Sequence, residues 1–328
     1  MLSGLAEMQS GDAIEIEILE DAGRIEAAWW DLWHRDPHAT PFQSPAWLLP
    51  WRRYFAVGDD AILSFWEKDH LIGLLPLFEH EGQLLPWGAG TSDWLDGVFY
   101  PSLDPAALSR GIAALMQPVD LFQLRTGSPL LRMPVPWGWC EKAGPAESCA
   151  VLSLPMQPNK KMAQNLRYYR RRAARAGLGE PCRGTARDID ALADLHTRRW
   201  NGRDEPGIFA DPRMLGWLRE ALAALEAAGL LRLYLLRNGS ETLAALCAFG
   251  AKGRSYYYIG GFDPEHAALG LGTVLVGHAI EEAQREGHRS FDFLRGREPY
   301  KYHWGAVDEP THGRQFIPPD REHADEQR

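Results

Sequence analysis

Within five residues, Tyr300-Lys-Tyr-His-Trp304 holds a lysine, a histidine and two tyrosines. On an extended chain, side chains alternate, which places Lys301 and His303 on one face and Tyr300, Tyr302 and Trp304 on the other. A site that lets an amine attack a thioester must take a proton from the amine, polarise the carbonyl and release a thiolate. A lysine can stabilise the oxyanion and a neutral histidine can act as the base. A solvated strand face accounts for the same pair. Asp292, in the β-like run Phe291-Asp-Phe-Leu294, can orient substrate at a strand end, where α/β folds place ligands. An internal Asp292–Arg295 ion pair is the plainer alternative. Lys301, His303, Asp292 and Tyr300 form the candidate catalytic set.

Acceptor contacts are expected from several further places. Asp93 and Asp96 flank Trp94 in a loop of the first half and can hold an amine or hydroxyl, although a solvated turn explains them as well. Between Asn159 and Arg175 lie Lys160, Lys161, Arg167, Arg170, Arg171, Arg172 and Arg175 without one acid, in a chain whose net charge is −9. Drawn as a helix, this segment puts Arg167, Arg171 and Arg175 on one face at i, i+4 spacing. It can grip phosphates or an RNA end, or be an arginine-rich solvated face with no ligand. Trp200 and Arg295 complete the substrate candidates. No metal site is expected: His34 and His38 are four apart, but Pro37 breaks the helix that would align them.

An anion site is legible in the second half. A β-like run, Ser255-Tyr-Tyr-Tyr-Ile-Gly-Gly-Phe-Asp263, precedes Ala268-Leu-Gly-Leu-Gly-Thr273, which opens an apolar helix. Glycines at 270 and 272 let helix N-terminal N–H groups approach an anion closely, and the helix dipole adds positive charge. A pyrophosphate fits; so does a tight turn with no ligand. At the matching place the first half has Asp104-Pro105, whose carboxylate caps the helix itself and repels phosphate. A dinucleotide-binding fold is disfavoured, because position 275 is Leu where a third glycine belongs.

These segments must be positioned by a larger plan, and the plan is repeated. Trp33, Phe42-x-Ser44-Pro45 recurs 167 residues later as Trp200, Phe209-x-Asp211-Pro212. Ser44 and Asp211 read as helix N-caps, with a proline at the first helical position. In each half a strand–turn–strand follows, with an Asn238-Gly239 hairpin signal in the second. Leu121-Phe-Gln-Leu-Arg125 then resembles Phe291-Asp-Phe-Leu-Arg295. The order helix, hairpin, strand, helix, strand occurs twice, so the expected fold is α/β (α+β) in two tandem units, 12–154 and 155–312, each a mixed, mostly antiparallel sheet flanked by helices. The polar, proline-containing stretch 313–328 reads as a flexible tail. With 328 residues, 45% of them hydrophobic, the chain can build both cores. The absence of a signal-like start and of any run of about eighteen apolar residues points to a cytoplasmic protein without a membrane span. Four scattered cysteines suggest free thiols.

Several of these stretches together resemble the Gcn5-related N-acetyltransferase (GNAT) superfamily, in its double-unit branch of BioF2-like or CelD/BcsL cellulose-biosynthesis acetyltransferases, kin to the FemABX peptidyltransferases. The resemblance covers roughly 14–305 and rests on Pro41-Phe-Gln-Ser-Pro-Ala-Trp47, Ser92-Asp-Trp-Leu-Asp96, Asn165-Leu-Arg-Tyr-Tyr-Arg-Arg171, His196-Thr-Arg-Arg-Trp200, Tyr257-Tyr-Ile-Gly-Gly-Phe-Asp263 and Phe291-Asp-Phe-Leu-Arg-Gly296. It implies an acyltransferase using acetyl-CoA or another acyl-CoA as co-substrate, with a pantetheine arm along Tyr258, Ile259 and Gly260 and a pyrophosphate at Gly270, Leu271, Gly272 and Thr273. The first unit would be degenerate in this respect. Positions 267 to 269 are Ala-Ala-Leu, where the superfamily's turn leads with Gln or Arg. The implied acceptor is a small molecule or a cell-envelope or polysaccharide precursor. Two alternatives stand beside this: a FemABX-like transferase taking its group from aminoacyl-tRNA, and a non-catalytic accessory protein of polysaccharide biosynthesis. No DNA partner is expected, and monomer and dimer are both compatible with the sequence.

Overall fold

A computed structural model describes residues 14–144, 146–201 and 207–319. In the first half the chain forms β1 (Glu15–Leu19), α1 (Glu26–Arg35), α2 (Pro45–Phe55), β2 (Asp60–Glu67), β3 (His70–His80), β4 (Gln83–Pro86), β5 (Val98–Phe99), α3 (Pro105–Leu115), β6 (Val119–Arg125), α4 (Pro129–Arg132), β7 (Cys140–Ala143) and β8 (Ser148–Ser153). In the second it forms α5 (Lys160–Arg175), β9 (Cys182–Arg183), α6 (Ile189–Asn201), α7 (Pro212–Ala227), β10 (Leu231–Asn238), β11 (Glu241–Ala251), β12 (Arg254–Phe262), α8 (Leu271–Arg285), β13 (Ser290–Arg295), α9 (Pro299–His303) and β14 (Val307–Ile317).

The expected repeat is visible in the local chemistry. Pro45 and Pro212 each open a helix, where a missing N–H costs nothing. Asp211 caps α7 by accepting from Arg213 N at 2.9 Å. Ser44 does not cap α2: its hydroxyl donates to Pro41 O at 2.7 Å, and the capping box lies one turn earlier, between Thr40 and Gln43. The β10–β11 hairpin closes through Gly239, whose φ of +59° suits a glycine. Residues that the repeat equates touch one another: Arg53 on α2 pairs with Glu220 on α7 at 2.6 Å, and they are 167 residues apart.

All the described strands belong to one mixed sheet, whose main path runs β1-β2-β3-β4-β6-β14-β8-β13-β12-β11-β10-β9. Both of its faces are covered, so the central strand β11 is buried on either side. Ala245, Cys247 and Phe249 point into a core shared with α2 and α7, while Ala244, Leu246 and Ala248 point into a second core under α8. Trp47 and Trp217 meet edge to face in the first core, their centroids 4.5 Å apart.

The segment from 313 onward is not a tail from its start. β14 runs to Ile317; its first half pairs with β8, and its second half with β6 and β7. Phe316 is fully buried and Arg314 donates to Leu130 O and Met133 O. The apolar Phe316 and Ile317, amid polar residues, are what anchor the strand. β8, which follows β6 in the chain, pairs with β13 of the second half, and β14, which follows β13, pairs with β6 of the first. The halves thus exchange their last strands, and a boundary at 154 cuts the chain but not the sheet. No described helix is long and apolar enough to cross a membrane.

Candidate active site

β12 and β13 run parallel but pair only from Arg254 to Tyr256, opposite Ser290 to Asp292, and then part. Beyond that point the β13-side edge of β12, from Tyr257 to Phe262, has no strand partner among the described residues. The bend is built into β13: Leu294 adopts φ +61° at an irregularity in its pairing with β8. A left-handed leucine is strained, and Lys301 secures it. Lys301 is only 3% exposed, and its ammonium donates to the carbonyls of Leu294, Arg295 and Gly296 and pairs with Glu298.

Two cavities lie against the open edge of β12. One, of about 370 Å³, is lined by Gly260, Gly261, Phe262, Gly272, Thr273 and His303, among others. Here α8 begins: Gly270, at φ +67°, is its N-cap, and an added Cβ there would strike the Tyr169 ring at 2.3 Å. At Gly272 a Cβ would meet nothing nearer than 3.8 Å, so the helix end stays open to the cavity. Leu271, Gly272 and Thr273 present the first N–H groups of α8, the ones a helix cannot satisfy internally. The second cavity, about 550 Å³, lies between the halves and takes in Asp93, His196, Trp200, Tyr258, Ile259 and Arg295. Arg199, Tyr257, Gly260 and Tyr300 line both.

The charged groups of the second cavity are arranged by burial. Arg295 forms ion pairs with Asp93 and, at 3.1 Å, with Glu147, not with Asp292. Burial raises the Asp93 carboxyl above the usual range against the pull of Arg295. His196 is 4% exposed, its Nδ1 has no hydrogen-bond partner among the described residues, and burial, with Arg199 nearby, pushes its pKa down to about 4. It is therefore a neutral imidazole. The buried Nε of Arg199 also lacks a hydrogen-bond partner among the described residues. Tyr258 OH donates to Thr91 O at 3.1 Å, and burial holds the Tyr258 and Tyr300 phenols well above their ordinary pKa.

Several expectations are corrected. Residues 299–303 form a helix, opened by Pro299 at its first position, so Lys301 and His303 do not share a strand face. Lys301 points inward to carbonyls, while His303 is exposed at the rim of the first cavity. Asp292 is fully buried in mid-sheet and lines neither cavity; it accepts from Trp94 Nε1 at 2.9 Å and Leu294 N at 2.8 Å, with Arg254 at 3.5 Å. Asp96 is buried away from both cavities beside Ser128 and Arg125, and neither it nor Asp93 sits on a solvated turn. Arg167 and Arg171 are exposed on α5, whose Met162, Asn165 and Tyr169 face the first cavity. Brought together are Tyr258, Ile259, Gly260, Gly272, Thr273, Asp93, Trp200, Arg295 and Tyr300. His196 and Arg199 were missed as individual site residues; their signal was a histidine and an arginine about one helical turn apart in His196-Thr-Arg-Arg-Trp200, a stretch quoted only as a motif. Among the described residues no cluster of His, Cys, Asp and Glu is suited to a metal.

Residues 160–302 match the family model "Acetyltransferase (GNAT) domain". Among solved structures the chain is similar to FemX, with 11% identity over 91% of this chain and 96% of that one and a TM-score of 0.62. It is also similar to the L-PGS of Bacillus licheniformis, with 14% identity, 94% and 95% coverage and a TM-score of 0.58. The C-terminal domain of a putative lysylphosphatidylglycerol synthetase from Agrobacterium fabrum follows, with 12% identity, 90% and 92% coverage and a TM-score of 0.59. At these identities the likeness is one of fold, and it extends over both halves. No curated protein sequence matches the chain.

Proposed function

We propose, from the match of residues 160–302 to the GNAT acetyltransferase domain, that the chain transfers an acyl group from acyl-CoA to an amine or hydroxyl held between its two halves. One observation carries this: the unpaired edge of β12 leads from the glycine-opened end of α8 into the cavity that contains Asp93, His196 and Arg295. An amide-bearing arm can add itself to that edge as a further strand, by backbone bonds, and the α8 N-terminus can hold a pyrophosphate. Arg199 supplies from α6 the cation that Ala267-Ala268-Leu269 lacks. Bound there, the thioester supplies the activated acyl group.

This chain's residues would do the rest. Asp93 and Arg295 orient the acceptor, and His196, kept neutral, offers a nitrogen lone pair to the acceptor's N–H or O–H. Tyr300, kept protonated, donates to the departing sulfur. Lys301 is a positioning residue that fixes the bend of β13, and His303 borders the cofactor arm. The acceptor class, a small-molecule, envelope or polysaccharide precursor, follows the resemblance of the sequence.

Calorimetric titration with acetyl-CoA tests the reading. Wild type should bind, and Gly272→Asp, which has room for its side chain but sets a carboxylate against the pyrophosphate, should bind at least about tenfold more weakly. The exposed basic face of α5 beside the first cavity favours a second reading, an aminoacyl-tRNA donor. Absence of acetyl-CoA binding by wild type, together with binding of charged tRNA, selects it; binding of neither selects the accessory role.

A further inference from the structure

A third cavity, of about 470 Å³, lies between the halves on the other side of the segment that carries Asp93. It and the proposed acceptor cavity are back to back: along 93–96, Asp93 lines one while Trp94 and Asp96 line the other, and along β12 Tyr257 and Tyr258 line one while Arg254 and Tyr256 line the other. Four cations converge on this third cavity: Arg125 from the end of β6, Lys252 from the β11–β12 turn, Arg254 from the start of β12, and Arg289 from just before β13. Two of them are neutralised. Arg125 Nε is 2.9 Å from Asp96 Oδ2, although out of hydrogen-bonding alignment, and Arg254 pairs with Glu309 at 2.8 Å and Asp292 at 3.5 Å.

The other two are not. Lys252 donates to His34 O at 2.8 Å, and Arg289 to Lys252 O at 3.3 Å. Among the described residues neither has a carboxylate within ion-pair distance. Half-buried, Lys252 carries its charge at a desolvation cost that the His34 carbonyl, the Trp33 ring face 4.7 Å away and the more distant Asp36 carboxylate offset only in part. The cavity is of ligand size, with Trp94 and Tyr256 as aromatic walls and, in its lining, two cations without an ion-pair partner among the described residues. We infer that it is a second ligand site, which takes a small molecule bearing a phosphate or carboxylate group that pairs with Lys252 and Arg289. It goes beyond the acyl-transfer reading and does not depend on it, because it shares neither the α8 N-terminus nor the open edge of β12.

Titration calorimetry of the full chain carrying Gly272→Asp, in which the α8 N-terminus repels anions, tests it, with inorganic pyrophosphate and citrate as probes for the two anion types. Saturable binding of at least one probe is expected, weakened at least about tenfold by adding Lys252→Gln with Arg289→Gln. Gly127→Asp tests the same point without removing a contact: Gly127 is exposed at the mouth, and an added Cβ meets nothing within 4 Å. It should weaken binding to a similar degree. The inference is overturned by absence of saturable binding of both probes, or by binding that either the double substitution or Gly127→Asp leaves unchanged.

Discussion

Asp292 shows how burial sets the role of a single residue. At 0% exposure its carboxylate is satisfied by Trp94, Leu294 N and Arg254, yet burial still pushes its pKa up from 3.8 to about 6. A carboxyl whose folded pKa is raised binds more protons in the folded state than in the unfolded one between those two values. Its contribution to stability is therefore full below about pH 4 and declines as pH rises to about 6. Asp292→Asn removes that titration. The variant is expected to be destabilised most near pH 4, because the amide sets a donor against Trp94 or Leu294 N, and the gap to wild type should narrow by on the order of 2 kcal/mol by pH 7. Urea unfolding at the two pH values measures this, and a gap that widens with pH would contradict it. Lys301 makes the same point from the other side: its three carbonyl partners occupy its donors, so its charge holds a strained bend.

At the scale of elements, the site is made by two strands that part and a helix that begins at their opening. β13 can bend because Leu294 sits at φ +61°; in β6, its counterpart in the first half, Gln123 sits at φ +54°. What differs is the neighbouring strand. β12 runs for nine residues, whereas β4 has four and pairs with β6 only at Leu84 and Val119. In the first half α3 is capped by Asp104, which accepts from Ala106 N at 2.9 Å, so a carboxylate occupies the place of an anion. In the second half the N-cap is Gly270, in the left-handed region and pressed by Tyr169. Gly270→Ala is expected to lose about 1–2 kcal/mol from backbone strain alone, with more from displacing the tyrosine, and to misalign the N–H groups of Leu271 to Thr273. Thermal melting together with acetyl-CoA titration checks both, and a variant with unchanged melting would show that the turn tolerates a side chain.

For the whole molecule, the exchange of β8 and β14 ties the halves into one sheet. Because β14 closes the first half only after the second has been traversed, the first half cannot complete its core alone. Phe316, at 0% exposure, packs with β6, and Arg314 crosses to Glu141, Leu130 and Met133. Ending the chain at His312 is expected to cost at least the about 3–5 kcal/mol of deleting one buried phenylalanine, and to expose the β6 edge. Denaturant unfolding of the shortened chain measures this; stability equal to wild type would mean that the end of β14 is dispensable. The same exchange places Asp93, Trp94 and Asp96 of the first half against β12 of the second, which is how both inter-half cavities acquire walls from either side.

Much of this was fixed by the sequence itself. The repeat at an offset of 167, the proline-led helices, the hairpins and the glycine-opened start of α8 are local: each depends on a few neighbouring residues whose backbone preferences leave little choice. The GNAT character of residues 160–302 could be read from such motifs in combination. Tertiary structure decided what pairs with what. That 299–303 is a helix, that Arg295 pairs with Asp93 across 202 residues, that His196 is buried with its Nδ1 lacking a hydrogen-bond partner among the described residues, and that β14 belongs to both halves all depend on contacts between distant segments. Burial and long-range pairing are properties of the assembled sheet. No spacing along the chain encodes them, so the proposed site could be assembled only from the fold.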